Sequence, residues 1–206
     1  WRVGIQHPRK PQPLASLPLP PSVFAYGEAY PGSVVPVVTN FAPRQWVPAC
    51  FGLVPAWAKD VKIVRSTYNA RSETIGDKPS FRDAWRRGQL CIIPAEAIYE
   101  PSYETGKAVR WRIGQADGRP MGIAGIWARR ESDDGLPRWS MAMLTINADD
   151  DLLFRRFHRP DDEKRSVVIL PREAWGDWLR CKSEDAARAL LVPLAPSGLE
   201  AAPAPR

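Results

Sequence analysis

The chain has 206 residues, of which 44% are apolar, and its 29 Lys and Arg outnumber its 23 Asp and Glu to give a formal net charge of +6. This length suits one domain with a core of its own, and the composition excludes wholesale disorder, collagen and a coiled coil. No apolar run approaches the roughly 18 residues that span a bilayer, so we expect a soluble protein without a membrane partner. The 22 prolines argue against a mostly helical fold.

The predicted elements begin after a proline-rich lead-in. Residues 8–21 contain six prolines, so residues 1–22 are expected to be extended and irregular rather than helical. Short apolar runs then predict strands, which turn-forming pairs such as Asp117-Gly118 separate. These strands are predicted at residues 34–39, 90–93, 109–113, 121–127, 141–145 and 166–170.

Four short helices complete the prediction. Residues 80–87 carry a capping box, with Ser80 as the N-cap and Asp83 three residues later. Further helices are predicted at residues 149–157, after Pro171, and at residues 184–191. The sequence thus predicts one α+β domain over residues 1–192, with a curved, barrel-like, mainly antiparallel sheet and a few short helices. The Ala- and Pro-rich residues 193–206 are predicted to form a disordered tail.

The positive charge is concentrated in residues 44–87, which hold nine Lys and Arg against four Asp and Glu. Such a concentration favours a polyanionic partner, although solvated helix faces and loops explain it equally well. The helix predicted at residues 80–87 buries its aromatic face, which leaves Arg82 and Arg86 free to face water or phosphate.

Two segments within the basic stretch contain candidate binding residues. Trp57 lies in a loop with Gly and Pro and can stack on a base, a contact worth about 1–3 kcal/mol. A core tryptophan is the alternative. Asn69 offers an amide donor and acceptor, and Arg71 shares its face if the segment is extended. For Asn69, a turn stabilised by its side chain is the alternative.

Two further side chains can move protons. Glu100 ends an almost wholly apolar run, where partial desolvation would raise its pKa and suit it to act as a general acid. A surface Glu at a strand end is the alternative. His158 follows a predicted helix beside three arginines and can shuttle protons or contact phosphate, although a single His is more often structural or exposed.

The cysteines and histidines argue against a disulfide framework and against a metal site. Cys50, Cys91 and Cys181 are far apart, odd in number and without a zinc-binding spacing, which favours a reducing cytoplasm. The chain has only two histidines, so a multi-histidine metal site cannot form. Phosphate-cradling glycine loops and hydrolase motifs are missing from the sequence, and we expect neither a metal nor a cofactor.

Several segments, taken in order, resemble one known family. They are Gly52-Leu-Val-Pro-Ala-Trp57, Asn69-Ala-Arg71 with Glu73-Thr74, Lys78-Pro-Ser-Phe-Arg82, Cys91-Ile-Ile-Pro94 with Tyr99-Glu100, and Phe157-His158 before Val167-Val-Ile-Leu170. In this order and spacing, from about residue 26 to residue 179, they resemble the SOS-response-associated peptidase (SRAP) family. The resemblance implies a single α+β domain with a barrel-like sheet and a basic groove for single-stranded DNA.

The resemblance also implies an activity. SRAP proteins remove their own initiator methionine and expose an N-terminal cysteine, whose amine and thiol capture the ring-opened aldehyde of an abasic site as a thiazolidine crosslink. On this resemblance, Asn69 orients the cysteine and the sugar, Glu100 moves protons, and His158 assists opening of the sugar ring. Arg71 and Trp57 match positions that hold phosphate and support the bent strand.

The sequence departs from the family pattern at the nucleophile. It begins with Trp1 rather than Met, and we expect the nucleophilic cysteine upstream of that residue. A thiazolidine needs the α-amine and the thiol on one residue, so none of the three internal cysteines can serve. Pro101 replaces the usual aromatic residue after Glu100, and residues 159–165 lengthen the region after His158.

Three functions are compatible with the sequence. The leading hypothesis is a cytoplasmic, monomeric protein of the DNA damage response that traps abasic sites in single-stranded DNA. The second is a non-catalytic module that binds single-stranded or gapped DNA in the same groove. The third is a small-molecule hydrolase that uses Glu100 and His158 and lacks salt-dependent affinity for DNA.

Overall fold

Two sheets and a few short helices form the described part of the chain, which comprises residues 4–6, 27–131, 137–195 and 198–205 of a computed structural model. The strands are β1 (Gly4–Gln6), β2 (Glu28–Ala29), β3 (Val34–Thr39), β4 (Val47–Phe51), β5 (Asn69–Arg71), β6 (Leu90–Ala95), β7 (Ala97–Ser102), β8 (Val109–Gln115), β9 (Met121–Glu131), β10 (Pro137–Asn147), β11 (Arg165–Val167), β12 (Ile169–Leu170) and β13 (Leu199–Pro203). The helices are α1 (Arg82–Arg86), α2 (Trp175–Arg180) and α3 (Glu184–Ala189), and short 3-10 turns occur at Val61–Arg65, Phe154–Arg156 and Arg172–Ala174.

Five strands close into a barrel. β10 pairs with β4, β4 with β3, β3 with β6, β6 with β9, and β9 again with β10. β5 and β11 pair with other stretches of β10, and β12 pairs with β9. All of these pairs are antiparallel except those of β10 with β4 and β5. The predicted barrel-like, mainly antiparallel sheet is therefore confirmed.

A second sheet, in the order β13-β8-β7-β1-β2, continues from the barrel. β7 follows β6 after the single residue Glu96, so the chain passes directly from one sheet into the other. β1 runs antiparallel to β7, with Gly4 opposite Tyr99. Glu100 therefore lies one residue along β7 from the position where β1 begins.

Alternating side chains on the barrel strands build two apolar clusters. Along β6, Cys91 and Ile93 belong to one cluster and Leu90 and Ile92 to the other, as expected where successive side chains point to opposite faces of a strand. Side chains of the helices pack into the second cluster. The indole of Trp178 in α2 donates a 2.9 Å hydrogen bond to the carbonyl oxygen of Cys91, which anchors this helix to β6.

The predicted elements occur with some changes. All six predicted strands form, the last divided into β11 and β12, whereas the sequence does not predict β2, β4, β5 or β7. α1 lies within a predicted helix, but its N-cap residue is Phe81 rather than Ser80, because backbone turns from residue 74 onward lead into it. The helix predicted at residues 149–157 is wrong. Only one 3-10 turn forms there, since Phe157 is extended and His158 has a φ of 64°.

Both ends of the chain depart from the prediction where they are described. Leu199–Pro203, expected within a disordered tail, forms β13 at the edge of the second sheet, with Ala201 opposite Ile113. An edge strand is hydrogen-bonded on one side only, so a segment of small side chains that ends in Pro is compatible with it. Gly4–Gln6 forms β1 within the predicted irregular lead-in, and residues 7–22 of that lead-in lie outside the described residues. None of the described helices is long and apolar enough to cross a membrane.

Candidate active site

Glu100 is a buried carboxylic acid on β7. The residue is only 5% exposed, and its Oε2 accepts no hydrogen bond from any described residue. Burial raises the pKa of Glu100 from 4.5 to about 8, because an ionised carboxylate would lose its hydration. Near neutral pH Glu100 is therefore protonated and can donate a proton. The sequence predicts this raised pKa, and the alternative of a surface Glu at a strand end is wrong, because Glu100 is buried within β7.

The main chain brings His158 against Glu100. Phe157 forms an isolated bridge with Ser102, and the N–H of His158 donates a 2.8 Å hydrogen bond to the carbonyl oxygen of Pro101. As a result, Nε2 of His158 lies 3.7 Å from Oε2 of Glu100. His158 has a φ of 64°, a conformation that costs a non-glycine residue about 1–3 kcal/mol and persists where the surrounding structure fixes it.

Both members of this pair are uncharged near neutral pH. Burial lowers the pKa of His158, and the positive charge of Lys164 lowers it further. The hydrogen bond to the Arg165 carbonyl and the charge of Asp162 raise it, but they do not outweigh the burial. Because Glu100 is protonated and His158 is neutral near neutral pH, their contact is not an ion pair. A neutral acid beside a neutral imidazole supplies a proton donor and a proton acceptor at one place.

Asn69 is the first residue of β5 and directly follows Tyr68. Asn69 lies opposite Met143 of β10, and its buried Oδ1 has no hydrogen-bond partner among the described residues. The pKa of Tyr68 is raised by burial and by the charge of Glu100, which shows that this hydroxyl lies within electrostatic reach of the acid. Buried amide oxygens without a partner are rare, and this one can accept a hydrogen bond from a ligand. The sequence gives no sign of Tyr68 beyond its position before Asn69.

An ion-pair network adjoins His158 through Arg165. The guanidinium of Arg165 donates to both carboxylate oxygens of Glu73, each at 2.9 Å, and to Glu163 at 2.9 Å. Glu163 also forms a 2.8 Å ion pair with the exposed Arg71. The sequence does not single out Glu73 or Arg165 as site residues. In the sequence, Glu73 is marked only by its position in the Asn-Ala-Arg-x-Glu segment. Arg165 is marked only as the last of the inserted residues 159–165.

The other predicted DNA-binding residues lie on the surface. Trp57 is 53% exposed, which excludes the alternative of a core tryptophan, and its indole nitrogen donates a 3.2 Å hydrogen bond to the carbonyl oxygen of Pro79. Pro79 leads into α1, where Arg82 and Arg86 are both exposed. The structure thus brings Trp57 to the start of the helix that carries these arginines. Within the described residues, no hydrogen bond or ion pair joins these three side chains to Glu100.

The internal cysteines are poor candidates for a nucleophile. Cys91 is fully buried, and burial raises the pKa of its thiol as well as those of Cys50 and Cys181. A raised pKa disfavours the reactive thiolate. In the part of the chain that the structure describes, no three His, Cys, Asp or Glu side chains are grouped so that they could hold a metal ion.

The fold and the site together define a single-domain barrel protein with a buried acid–imidazole pair and a basic surface. The sequence profile of the family described as SOS response associated peptidase (SRAP) matches residues 22–206. The chain belongs to this family.

Its relatives and structural neighbours agree with this assignment. The abasic site processing protein YoaM of Bacillus subtilis is 28% identical over 180 residues, which cover 86% of this chain and 76% of that protein. The mouse abasic site processing protein HMCES is 39% identical over 57 residues, which cover 26% of this chain and 16% of that protein. A crystal structure of a Bordetella bronchiseptica protein superposes with a TM-score of 0.86 at 37% identity and covers 98% of this chain and 99% of that one.

Proposed function

We propose that this protein binds single-stranded DNA and covalently captures abasic sites in it, as part of the DNA damage response, through an N-terminal cysteine that precedes Trp1. The protein itself cleaves off the residue before that cysteine, and this self-processing is its peptidase activity. The observation that carries the proposal is the contact between the buried, protonated Glu100 and the neutral His158. The names of YoaM and HMCES, both abasic site processing proteins, support the substrate class.

Capture of the ring-opened sugar proceeds through a short series of covalent steps. The α-amine of the cysteine adds to the aldehyde carbon, and the resulting carbinolamine loses water to form a Schiff base. Glu100 donates the proton with which the hydroxyl leaves as water. The thiol then adds to the imine carbon while its proton passes to the nitrogen, which closes the thiazolidine. One aldehyde and one aminothiol thus yield one thiazolidine and one water.

His158 and Asn69 prepare the substrate for this chemistry. Because burial keeps the imidazole of His158 neutral, it can accept the hydroxyl proton of the cyclic sugar as the ring opens to the aldehyde. The unpartnered Oδ1 of Asn69 can accept a hydrogen bond from the cysteine amine or from a sugar hydroxyl. Ring opening and dehydration can therefore occur in one site.

The course of β1 supports a nucleophile at the N-terminus. Gly4 pairs with Tyr99 in an antiparallel register, so β1 begins beside the residue that precedes Glu100. β1 thus brings the N-terminal part of the chain onto β7, the strand that carries Glu100.

Exposed cations support a DNA partner. All nine Lys and Arg of residues 44–87 are exposed, and each can neutralise a phosphate with release of a counterion. In this proposal Arg71, beside Asn69, holds a phosphate of the lesion. Trp57 stacks on a neighbouring base, and Arg82 and Arg86 contact the backbone that leads away from it.

The test uses the product of the complete gene and single-stranded DNA that carries one abasic site. A protein band that keeps its upward shift after boiling, in a denaturing gel, is the expected sign of covalent capture. Glu100→Gln should slow the appearance of this band, whereas Glu104→Gln should not, because Glu104 is an exposed carboxylate paired with Arg156. Binding in a native gel without a boiling-resistant band would refute capture and favour the non-catalytic module. Absence of salt-dependent DNA binding would favour the small-molecule hydrolase.

A further inference from the structure

The guanidinium of Arg165 is fixed by acceptors on several elements. Only 13% of its side chain is exposed, and Nη1 and Nη2 each donate to Glu73 at 2.9 Å. Nη2 also donates to the carbonyl oxygen of Thr145 at 2.8 Å and to its hydroxyl at 3.1 Å, and Nη1 donates to Glu163 at 2.9 Å. A planar fork that is bonded to this many acceptors has a single orientation.

The main chain of the same residue contacts the active site. Arg165 begins β11 opposite Asn147 of β10, and its carbonyl oxygen lies 3.3 Å from Nε2 of His158. Besides its bonds to the Arg165 guanidinium, Glu73 also holds the paired strand, since its Oε1 accepts a 3.2 Å hydrogen bond from the N–H of Asn147. The side chain of Arg165 and its strand pairing therefore hold one carbonyl oxygen against the imidazole.

We propose that Arg165, held by Glu73 and Thr145, is a positioning residue that selects the tautomer of His158. A carbonyl oxygen can only accept a hydrogen bond, so Nε2 of the neutral imidazole carries the hydrogen and Nδ1 carries the lone pair. The acceptor for the sugar hydroxyl proton is then Nδ1. The catalytic meaning of this tautomer rests on the proposed function, whereas the tautomer itself does not.

The selected tautomer keeps the proton of Glu100 available to the substrate. Oε2 of Glu100 lies 3.7 Å from Nε2 of His158. If Nε2 bore the lone pair, the protonated Glu100 could donate its hydrogen to the imidazole instead of to the departing hydroxyl. With the hydrogen already on Nε2, that exchange is blocked, and the acid and the base act separately.

The tautomer is measurable by NMR on the full chain labelled with 15N-histidine. The chain has two histidines, so a His7→Gln variant assigns the ring signals of His158. In the wild type, at a pH where the ring is neutral, we expect a protonated Nε2 and an unprotonated Nδ1. In Glu73→Ala and in Thr145→Val, each of which removes part of the Arg165 contacts, the Nε2 signal should move toward the average of the two tautomers.

Matched variants separate this effect from a loss of charge alone. Asp177→Ala removes an exposed ion pair with Arg180 on α2 and should leave the His158 signals unchanged. Arg165→Lys keeps the positive charge but lacks the planar fork that meets both carboxylate oxygens of Glu73, so it should shift the tautomer as Glu73→Ala does. Thermal unfolding establishes that each variant is folded before its spectrum is compared.

Crosslinking provides an independent measurement. At saturating abasic DNA the rate of capture should fall by roughly tenfold or more in Glu73→Ala, because a histidine in the wrong tautomer is a poor base. Affinity for unmodified single-stranded DNA should not weaken. An unchanged His158 tautomer in the folded Glu73→Ala and Thr145→Val proteins would overturn the proposal. If the tautomer shifts in these variants but the wild-type protein never crosslinks to abasic DNA, only the proposed function is overturned.

Discussion

Substituting Gln for Glu100 tests the buried acid directly. The residue is 5% exposed, and its pKa is raised from 4.5 to about 8 in the folded protein. In the unfolded chain the same carboxyl ionises near its ordinary pKa. At about 1.4 kcal/mol for each pH unit, the folded state loses about 5 kcal/mol of stability between these two values.

The sign of the effect follows from the direction of the pKa change. Because the pKa is raised by folding, the contribution of Glu100 is fully present below pH 4.5 and is lost as the pH rises to about 8. Gln does not ionise, so Glu100→Gln should lack this loss. The amide N–H groups of the introduced Gln would be buried at the position of Oε2, which has no hydrogen-bond partner among the described residues. This should lower the free energy of unfolding by about 1–3 kcal/mol. The variant should be less stable than the wild type at low pH and more stable above about pH 8.

Urea unfolding between about pH 5 and pH 9 measures the difference between the two proteins, in which all unchanged titrating groups cancel. Glu104→Gln serves as the control, because this exposed carboxylate pairs with Arg156 and its pKa is lowered rather than raised. Parallel stability curves for the wild type and Glu100→Gln would show that Glu100 ionises at an ordinary pKa. Its role as the proton donor near neutral pH would then be refuted.

DNA binding, capture and folding each respond to a different substitution. Asn69→Ala removes an Oδ1 that has no hydrogen-bond partner among the described residues. Crosslinking in a gel assay should therefore slow while DNA binding persists. Equal loss of crosslinking and binding would indicate a structural role for Asn69. Arg71→Ala should weaken binding to any single-stranded DNA and reduce the slope of log affinity against log salt by about 0.7, as measured by fluorescence anisotropy. An unchanged slope would show that Arg71 contacts no phosphate. Gly52→Ala should cost about 3–5 kcal/mol in thermal unfolding, because Gly52 has a φ of 115° and an added Cβ would lie 2.6 Å from Cα of Val64. Wild-type melting of this variant would contradict that close packing.

The strands of the barrel are predictable in part, and their pairing is not. Apolar runs locate β3, β6 and β9, since these strands consist largely of buried side chains. β5 escapes prediction because it has three residues and its strand partner is β10, far along the chain, and β4 escapes because its buried residues alternate with exposed or half-buried ones. β13 escapes because Ala and Pro carry no strand signal, and its pairing depends on the free edge that β8 presents.

The candidate site is predictable residue by residue, but its geometry is not. The family motifs single out Asn69, Glu100 and His158, whereas the 3.7 Å contact of Glu100 with His158 depends on the bridge between Ser102 and Phe157. The positive φ of His158 could not be foreseen, because a non-glycine residue adopts it only under the constraint of its surroundings.

By itself, the sequence determined that this protein is one mixed domain with a basic segment, a set of family motifs and an acid at the end of an apolar run. These properties depend on composition and on the order of neighbouring residues. Only the tertiary structure decided that the barrel closes, that β1 begins beside Tyr99 and that a carbonyl of Arg165 faces His158. Desolvation and hydrogen-bond partners come from residues distant in sequence, so the protonation states that the chemistry needs exist only once the chain has folded.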